Sequence, residues 1–171
     1  DISYSMTEFS VINDKNGNKA ISFGIGAIKN IGENSIRAII KDREINGRFK
    51  TLSDLLQRIS NNILNKKILE ALIFSDSLKS LEKNQKFLND NIDNIISLNS
   101  QYHKNLNINQ NTLFVEDNIF DERLNSAGYD SWSQEYKLDK EMEVIGFYLS
   151  DHPTKKLKKI FQDLKVKNLS K

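Results

Sequence analysis

Isoleucine and leucine recur at helical spacing along most of this chain, and that periodicity limits the fold more than any other feature of the sequence. Ile36, Ile39 and Ile40 share one face of a helix expected over 33–44. Leu52, Leu55, Leu56 and Ile59 repeat the pattern with Ser53 as its start, and Ile68, Leu69, Leu72 and Ile73 repeat it again with Asn65 as theirs. Phe87, Leu88, Ile92, Ile95 and Ile96 predict one longer amphipathic helix that ends near His103. The spacing resumes at Leu138, Met142, Ile145 and Leu149, where Ser131 and Gln134 are placed as a capping box. Asp151-His-Pro153 stops that helix, and the lysine-rich stretch 154–164 starts another. Near the N-terminus the period changes: Phe9-Ser-Val-Ile-Asn13 and Lys19-Ala-Ile-Ser-Phe23 flank Asn16-Gly17 and predict a short β-hairpin. The expected fold class is mainly α, with a short N-terminal β-hairpin, an acidic loop and C-terminal helices.

The 171 residues suffice for one ordinary domain or two small modules, and no apolar run is long enough to cross a bilayer. With no cysteine, disulfides, zinc knuckles and thiol catalysis are excluded together. The chain opens on Asp1 with neither an initiator Met nor a leader, so it is expected to be a segment of a longer protein. Charge is blocked along it. Residues 19–50 hold seven bases (Lys19, Lys29, Arg37, Lys41, Arg43, Arg48, Lys50) against Glu33, Asp42 and Glu44, a net of +4. Residues 110–151 hold ten acids against three bases, a net of −7, and the tail from His152 holds seven lysines against Asp163, a net of +6. Such blocks suit a chain that meets a polyanion with one part and avoids it with another.

The stretch Phe23-Gly-Ile-Gly-Ala-Ile-Lys-Asn-Ile-Gly32-Glu predicts two short helices, over 25–29 and from Glu33, around the turn Asn30-Ile31-Gly32: a helix-hairpin-helix. The first amides of the second helix have no helical partner, and the helix dipole adds partial positive charge there. A phosphate oxygen can bind them without any side chain. The candidate DNA-binding residues are therefore Lys29, Asn30, Ile31, Gly32, Glu33, Arg37 and Lys41, the three cations supplementing the backbone of the turn. Asn30 stands where many such hairpins have glycine, and asparagine tolerates a left-handed backbone better than most residues. A β-branched residue at 32 is expected both to crowd the phosphate and to strain the turn.

Four blocks in order carry a resemblance: Gly24-Ile-Gly-Ala-Ile-Lys-Asn-Ile-Gly-Glu-Asn-Ser-Ile-Arg-Ala-Ile-Ile40, Gly47-Arg-Phe-Lys-Thr-Leu-Ser-Asp-Leu55, Leu64-Asn-Lys-Lys-Ile-Leu-Glu-Ala-Leu-Ile73 and Ile145-Gly-Phe-Tyr-Leu-Ser-Asp-His-Pro153. Together they resemble the α subunit of bacterial DNA polymerase III, the C-family replicative polymerase, in the segment that follows its fingers. The resemblance implies a hairpin at the end of the fingers (1–24), a helix-hairpin-helix region (25–104), a flexible clamp-binding loop (105–131) and a helical segment leading to the next domain (132–171). It implies duplex DNA, the β sliding clamp and other holoenzyme subunits as partners, no membrane, and a cytoplasmic, nucleoid-associated place. The resemblance implies that the family's catalytic aspartates belong to a palm domain expected before residue 1. No catalytic or metal-binding residue is therefore expected here, and Mg²⁺ belongs to the full-length enzyme. Two departures stand out: Ser75-Asp-Ser-Leu78 replaces a glycine-containing turn, so a second phosphate-binding hairpin is not expected there, and Asp151 replaces the glycine before His-Pro.

Between Asn105 and Ser131 the periodicity vanishes, a longer gap than compact folds keep without a function. Within it Gln110-Asn111-Thr112-Leu113-Phe114 is similar to the peptide by which proteins dock on the bacterial clamp. Leu113 and Phe114 would fill an apolar pocket and Gln110 would bond at its rim. Phe120 and Trp132 are expected to pack the loop's ends down. Glu116-Asp117 and Asp121-Glu122 suggest a solvated acidic loop rather than a metal site, Asp139, Glu141 and Glu143 an acidic helix surface, and His103 and His152 have no catalytic partner in sequence. Two rivals stay open: a helix-hairpin-helix accessory domain of another DNA-processing enzyme with the loop as a plain linker, and a purely structural helical connector.

Overall fold

A computed structural model describes residues 1–13, 17–108, 120 and 123–157, the side chains of Asn107, Ile108 and Lys156 excepted. Strands β1 (Ser10–Asn13) and β2 (Lys19–Ser22) pair antiparallel, Val11 opposite Ile21 and Ser10 opposite Ser22, as the period-two pattern requires. A single 3-10 turn at Ile25–Ala27 follows. Among the described residues six helices complete the fold: α1 (Glu33–Asn46), α2 (Leu52–Arg58), α3 (Lys66–Phe74), α4 (Gln85–Asp90), α5 (Ile92–Ile108) and α6 (Gln134–Ile145). A last 3-10 turn spans Pro153–Leu157. None of the helices is long and apolar enough to cross a membrane.

The stripes expected from the periodicity make one buried cluster running from Ile2 through Ile39, Leu55, Leu72 and Leu88 to Ile145. Phe120 is fully buried against the ring of Tyr102, 5.4 Å away, and Trp132 packs against Phe74 and Tyr136 at 6.0 and 4.9 Å, so both ends of the acidic stretch are tied down. Arg58 fastens the connection between α1 and α2: its guanidinium reaches Asp42, Asp54 and the Gly47 carbonyl while lying 4.3 Å over the Phe49 ring.

Several boundaries differ from expectation. Thr51, not Ser53, caps α2 by accepting the Asp54 amide, and Ser53 lies buried within the helix. Asn65 caps α3 as expected. The long helix is divided at Asn91, whose backbone amide and side-chain amide both donate to the Phe87 carbonyl and close α4, while its own carbonyl accepts from Ile95 and opens α5. Helix α5 then runs past His103 to Ile108, because His103 and Asn99 turn inward and donate toward carbonyls at the end of α2. Ser133, not Ser131, caps α6, and the left-handed Gly146 ends it, leaving Leu149 outside the helix and 51% exposed.

The arm expected as a helix over 25–29 is cut to one turn for a tertiary reason. The amides of Ile25 and Gly26 donate to the carbonyls of Met6 and Thr7, both at 2.9 Å, which brings the two backbones into contact. A Cβ on Gly24 would stand 2.4 Å from the Thr7 oxygen, and one on Gly26 2.8 Å from it. Gly24→Ala must therefore push backbone apart. It is expected to lower stability by about 1–3 kcal/mol, as read from the urea midpoint, whereas Gly32→Ala, which meets no atom, should shift that midpoint far less.

Candidate nucleic-acid interface

The turn Asn30-Ile31-Gly32 turns its one apolar side chain inward and leaves Asn30 and Gly32 exposed. Asn30 is left-handed at φ 71, the conformation that asparagine tolerates better than most residues, and Ile31 is buried. Gly32 is extended, at φ −73 and ψ 145, and no side chain caps the helix that follows it. The first bonds back to the Gly32 carbonyl come from Ser35 and Ile36. The amides of Glu33 and Asn34 thus point off the end of α1 without a partner among the described residues. Elsewhere Thr51, Asn65, Asn84 and Ser133 each fill the corresponding place with a side-chain oxygen.

Glycine at 32 is not required by strain, contrary to expectation, because its φ is open to any residue and a Cβ there meets nothing within 4 Å. What glycine keeps is open space in front of the unpartnered amides. Substitution here tests approach to the amides with little confusion from folding.

The candidate cations divide. Lys41 is exposed on α1. Arg37 is also exposed, but it forms an ion pair with Glu33 one turn back, a contact of the kind worth roughly 0.3–0.5 kcal/mol and easily exchanged for a phosphate. Lys29 is tied into the fold. Its amide donates to the Val144 carbonyl at 2.9 Å and its ammonium to the Glu143 carbonyl at 3.3 Å, so it caps the C-terminal end of α6. Arg43, counted with the basic block, is only 8% exposed; its guanidinium donates to the Ile2 carbonyl and contacts the Met6 sulfur. Burial lowers its pKa. Arg48 lies 4.4 Å over the Tyr4 ring.

Glu141, expected on an acidic surface, is instead 4% exposed, and its carboxylate accepts the amides of Leu149 and Ser150 and the Ser150 hydroxyl at 3.0–3.1 Å. The spacing carries the signal, since 141 falls on the stripe set by Leu138 and Ile145. His103 Nε2 lies 3.0 Å from the Leu56 carbonyl and His152 Nδ1 2.7 Å from the Thr154 hydroxyl, both local structural contacts. Gln110, Asn111, Thr112, Leu113 and Phe114 lie outside the described residues, as do Glu116-Asp117 and Asp121-Glu122.

An exposed, uncapped helix start behind a tight turn is the form of a helix-hairpin-helix, and the model of the family described as "Helix-hairpin-helix motif" matches residues 1–88, just over half of the chain. The chain belongs to that family. Along most of its length it is also similar to DNA polymerase III subunit alpha. It is 33% identical over 172 residues to that of Borreliella burgdorferi, covering 99% of this chain and 15% of the relative. It is 36% identical over 164 residues to that of Buchnera aphidicola, covering 93% and 14%, and 40% identical over 135 residues to that of Neisseria meningitidis serogroup A, covering 78% and 12%. The chain spans about 15% or less of the length of these relatives. They are the proteins that the four motif blocks resemble.

Arg43 separates charge that holds the fold from charge that faces solvent. Arg43→Met should cost about 1–3 kcal/mol of stability by leaving the Ile2 carbonyl unpaired. In denaturant titrations the variant should unfold earlier, while any polyanion binding of the folded protein keeps its salt dependence.

Proposed function

We propose that this segment grips duplex DNA through its phosphate backbone at the start of α1 and tethers a replicative DNA polymerase to the sliding clamp through residues 110–114. The observation that supports the first half is the uncapped N-terminus of α1, the amides of Glu33 and Asn34 standing behind the open space at Gly32. Those amides and the dipole recognise a phosphate oxygen without reading bases. Arg37 and Lys41 add charge on the same helix. Similarity to DNA polymerase III subunit alpha supports placing the contact in chromosomal replication, with nucleotide transfer and its Mg²⁺ carried by other parts of the full-length enzyme.

The second half rests on Gln110-Asn-Thr-Leu-Phe114 and its place between α5 and α6. Each of Leu113 and Phe114 would contribute ~1.5–3 kcal/mol on burial in a pocket, before the cost of ordering the peptide. Two weak attachments to one duplex and its encircling clamp raise processivity, because the second forms intramolecularly. A helix-hairpin-helix accessory domain with a plain linker remains the alternative, and clamp binding decides between them.

Fluorescence anisotropy with two unrelated duplexes tests the DNA contact. With about two to four phosphates neutralised, log affinity should fall against log salt with a slope of about −2 to −4, from a Kd of ~10⁻⁴ to 10⁻⁶ M. Gly32→Val should weaken binding with the circular dichroism unchanged, and Glu33→Gln, which frees Arg37 and removes an anion from the site, should strengthen it. Salt-independent binding, or a preference for one sequence, contradicts a backbone grip.

Calorimetric titration against purified clamp tests the tether. Leu113→Ala with Phe114→Ala should abolish a micromolar interaction, since the pair supplies most of the energy. The same double variant should keep its thermal midpoint and its duplex affinity. Undiminished clamp binding would eliminate the motif as the contact.

A further inference from the structure

The turn after α3 satisfies its backbone in the opposite way from the turn before α1. At Ser75-Asp-Ser77 the three amides donate to the carbonyls of Ala71, Ile73 and Leu72 at 3.1, 3.1 and 2.9 Å, and the Ser77 carbonyl accepts the Ile2 amide at 2.8 Å. No amide of this turn is left for an anion. Beside it, between the α3–α4 connection and α6, lies a cavity of about 150 Å³. Three lysines from two stretches line it: Lys79 and Lys83 in the α3–α4 connection, and Lys137 in the first turn of α6.

The carboxylates at this cavity are already engaged. Asp76 holds the Lys79 ammonium at 2.8 Å, and Glu141 is occupied by Leu149 and Ser150. Among the described residues neither Lys83 nor Lys137 is paired with a carboxylate. The wall between them includes Gln85, which is buried and fixed by its bond to the Ile73 carbonyl, so part of the cavity lining is rigid. With Asp76 balanced by Lys79, Lys83 and Lys137 together outweigh the Glu141 carboxylate, so the lining is net positive.

We propose that this cavity is a second phosphate subsite, one that holds a phosphate group through the ammonium groups of Lys83 and Lys137 rather than through backbone amides. It deepens the duplex-binding function and rests on it. Helix α6 borders both places: Lys137 lines the cavity, and the Val144 carbonyl holds the Lys29 amide just before the first turn. The ligand chemistry is a phosphate oxygen anion, whose source is either a duplex phosphodiester or a free phosphate.

The test compares the chain with its Lys83→Gln, Lys137→Gln variant in two titrations. In the first, duplex affinity is followed across salt; the variant's slope should be shallower by about 1, its thermal midpoint unchanged, and Lys83→Arg with Lys137→Arg should restore the slope. In the second, inorganic phosphate is added and amide chemical shifts are recorded; Lys83, Gln85 and Lys137 should respond in the wild type and not in the variant. A slope change without a phosphate response assigns the duplex as the source. A phosphate response in a protein that binds no duplex would remove the duplex function and leave the subsite for a free phosphate. Duplex binding that is lost in Gly32→Val but unaltered in the lysine variant, with no response to phosphate, overturns the cavity and leaves the first turn standing.

Discussion

The hydrogen bond from the Lys29 amide to the Val144 carbonyl, 2.9 Å long, joins the last described helix to the first turn. Much of the site depends on it. A turn whose first arm is only Ile25–Ala27 has too few helical bonds to hold its shape, since one turn of helix fixes several residues in return for a single bond. Tertiary bonds replace them. The amides of Ile25, Gly26 and Lys29 go to Met6, Thr7 and Val144, two of them on the entering chain and one on α6. The exposed backbone of Asn30 and Gly32 is thereby positioned from both sides, and the amides of Glu33 and Asn34 are free of structural duty.

Electrostatics reinforces this division of labour. The basic block carries less accessible charge than its composition suggests, because Arg43 is buried on the entering chain and Arg37 shares its charge with Glu33. Long-range attraction to a polyanion is correspondingly modest, and the contact depends on short-range amide bonds whose geometry the fold sets in advance. In the function proposed above, such a contact would hold duplexes of any sequence alike. It would also release them readily, which suits the proposed second attachment.

Most of the helical architecture was legible in the sequence because Ile and Leu spacing reports directly which face each helix buries. Asn65 and the β-hairpin were legible for local reasons too, the one a side chain that bonds its own helix start, the other a period-two pattern closed by Asn16-Gly17. What escaped were features decided by partners distant in sequence. The close approach of Thr7 to Gly24 and Gly26 left no mark in the local pattern. The contact of the Lys29 ammonium with a carbonyl 114 residues on was equally hidden. The break at Asn91 is local, but it depends on one side-chain amide choosing the Phe87 carbonyl over solvent. At the candidate interface the turn itself was legible, whereas the sorting of cations into structural and exposed was not.

The ends of the acidic stretch bear on how a clamp contact would work. Phe120 is fixed against Tyr102 on α5, and Trp132 is fixed against Phe74 on α3, so the motif at 110–114 belongs to a closed span rather than to a free tail. Between Ile108 and Phe120 the chain has eleven residues. At roughly 3.5 Å per residue, a span returning to the same domain reaches no more than about 20 Å from it. A clamp held there stays within a short distance of the helix core, and the effective concentration of the second attachment is set by that short closed span. The entropy of closing so few residues is also small, since it grows only with the logarithm of loop length. In the function proposed above, the fold would limit the distance between the DNA grip and the clamp tether without requiring the tether itself to be part of the core.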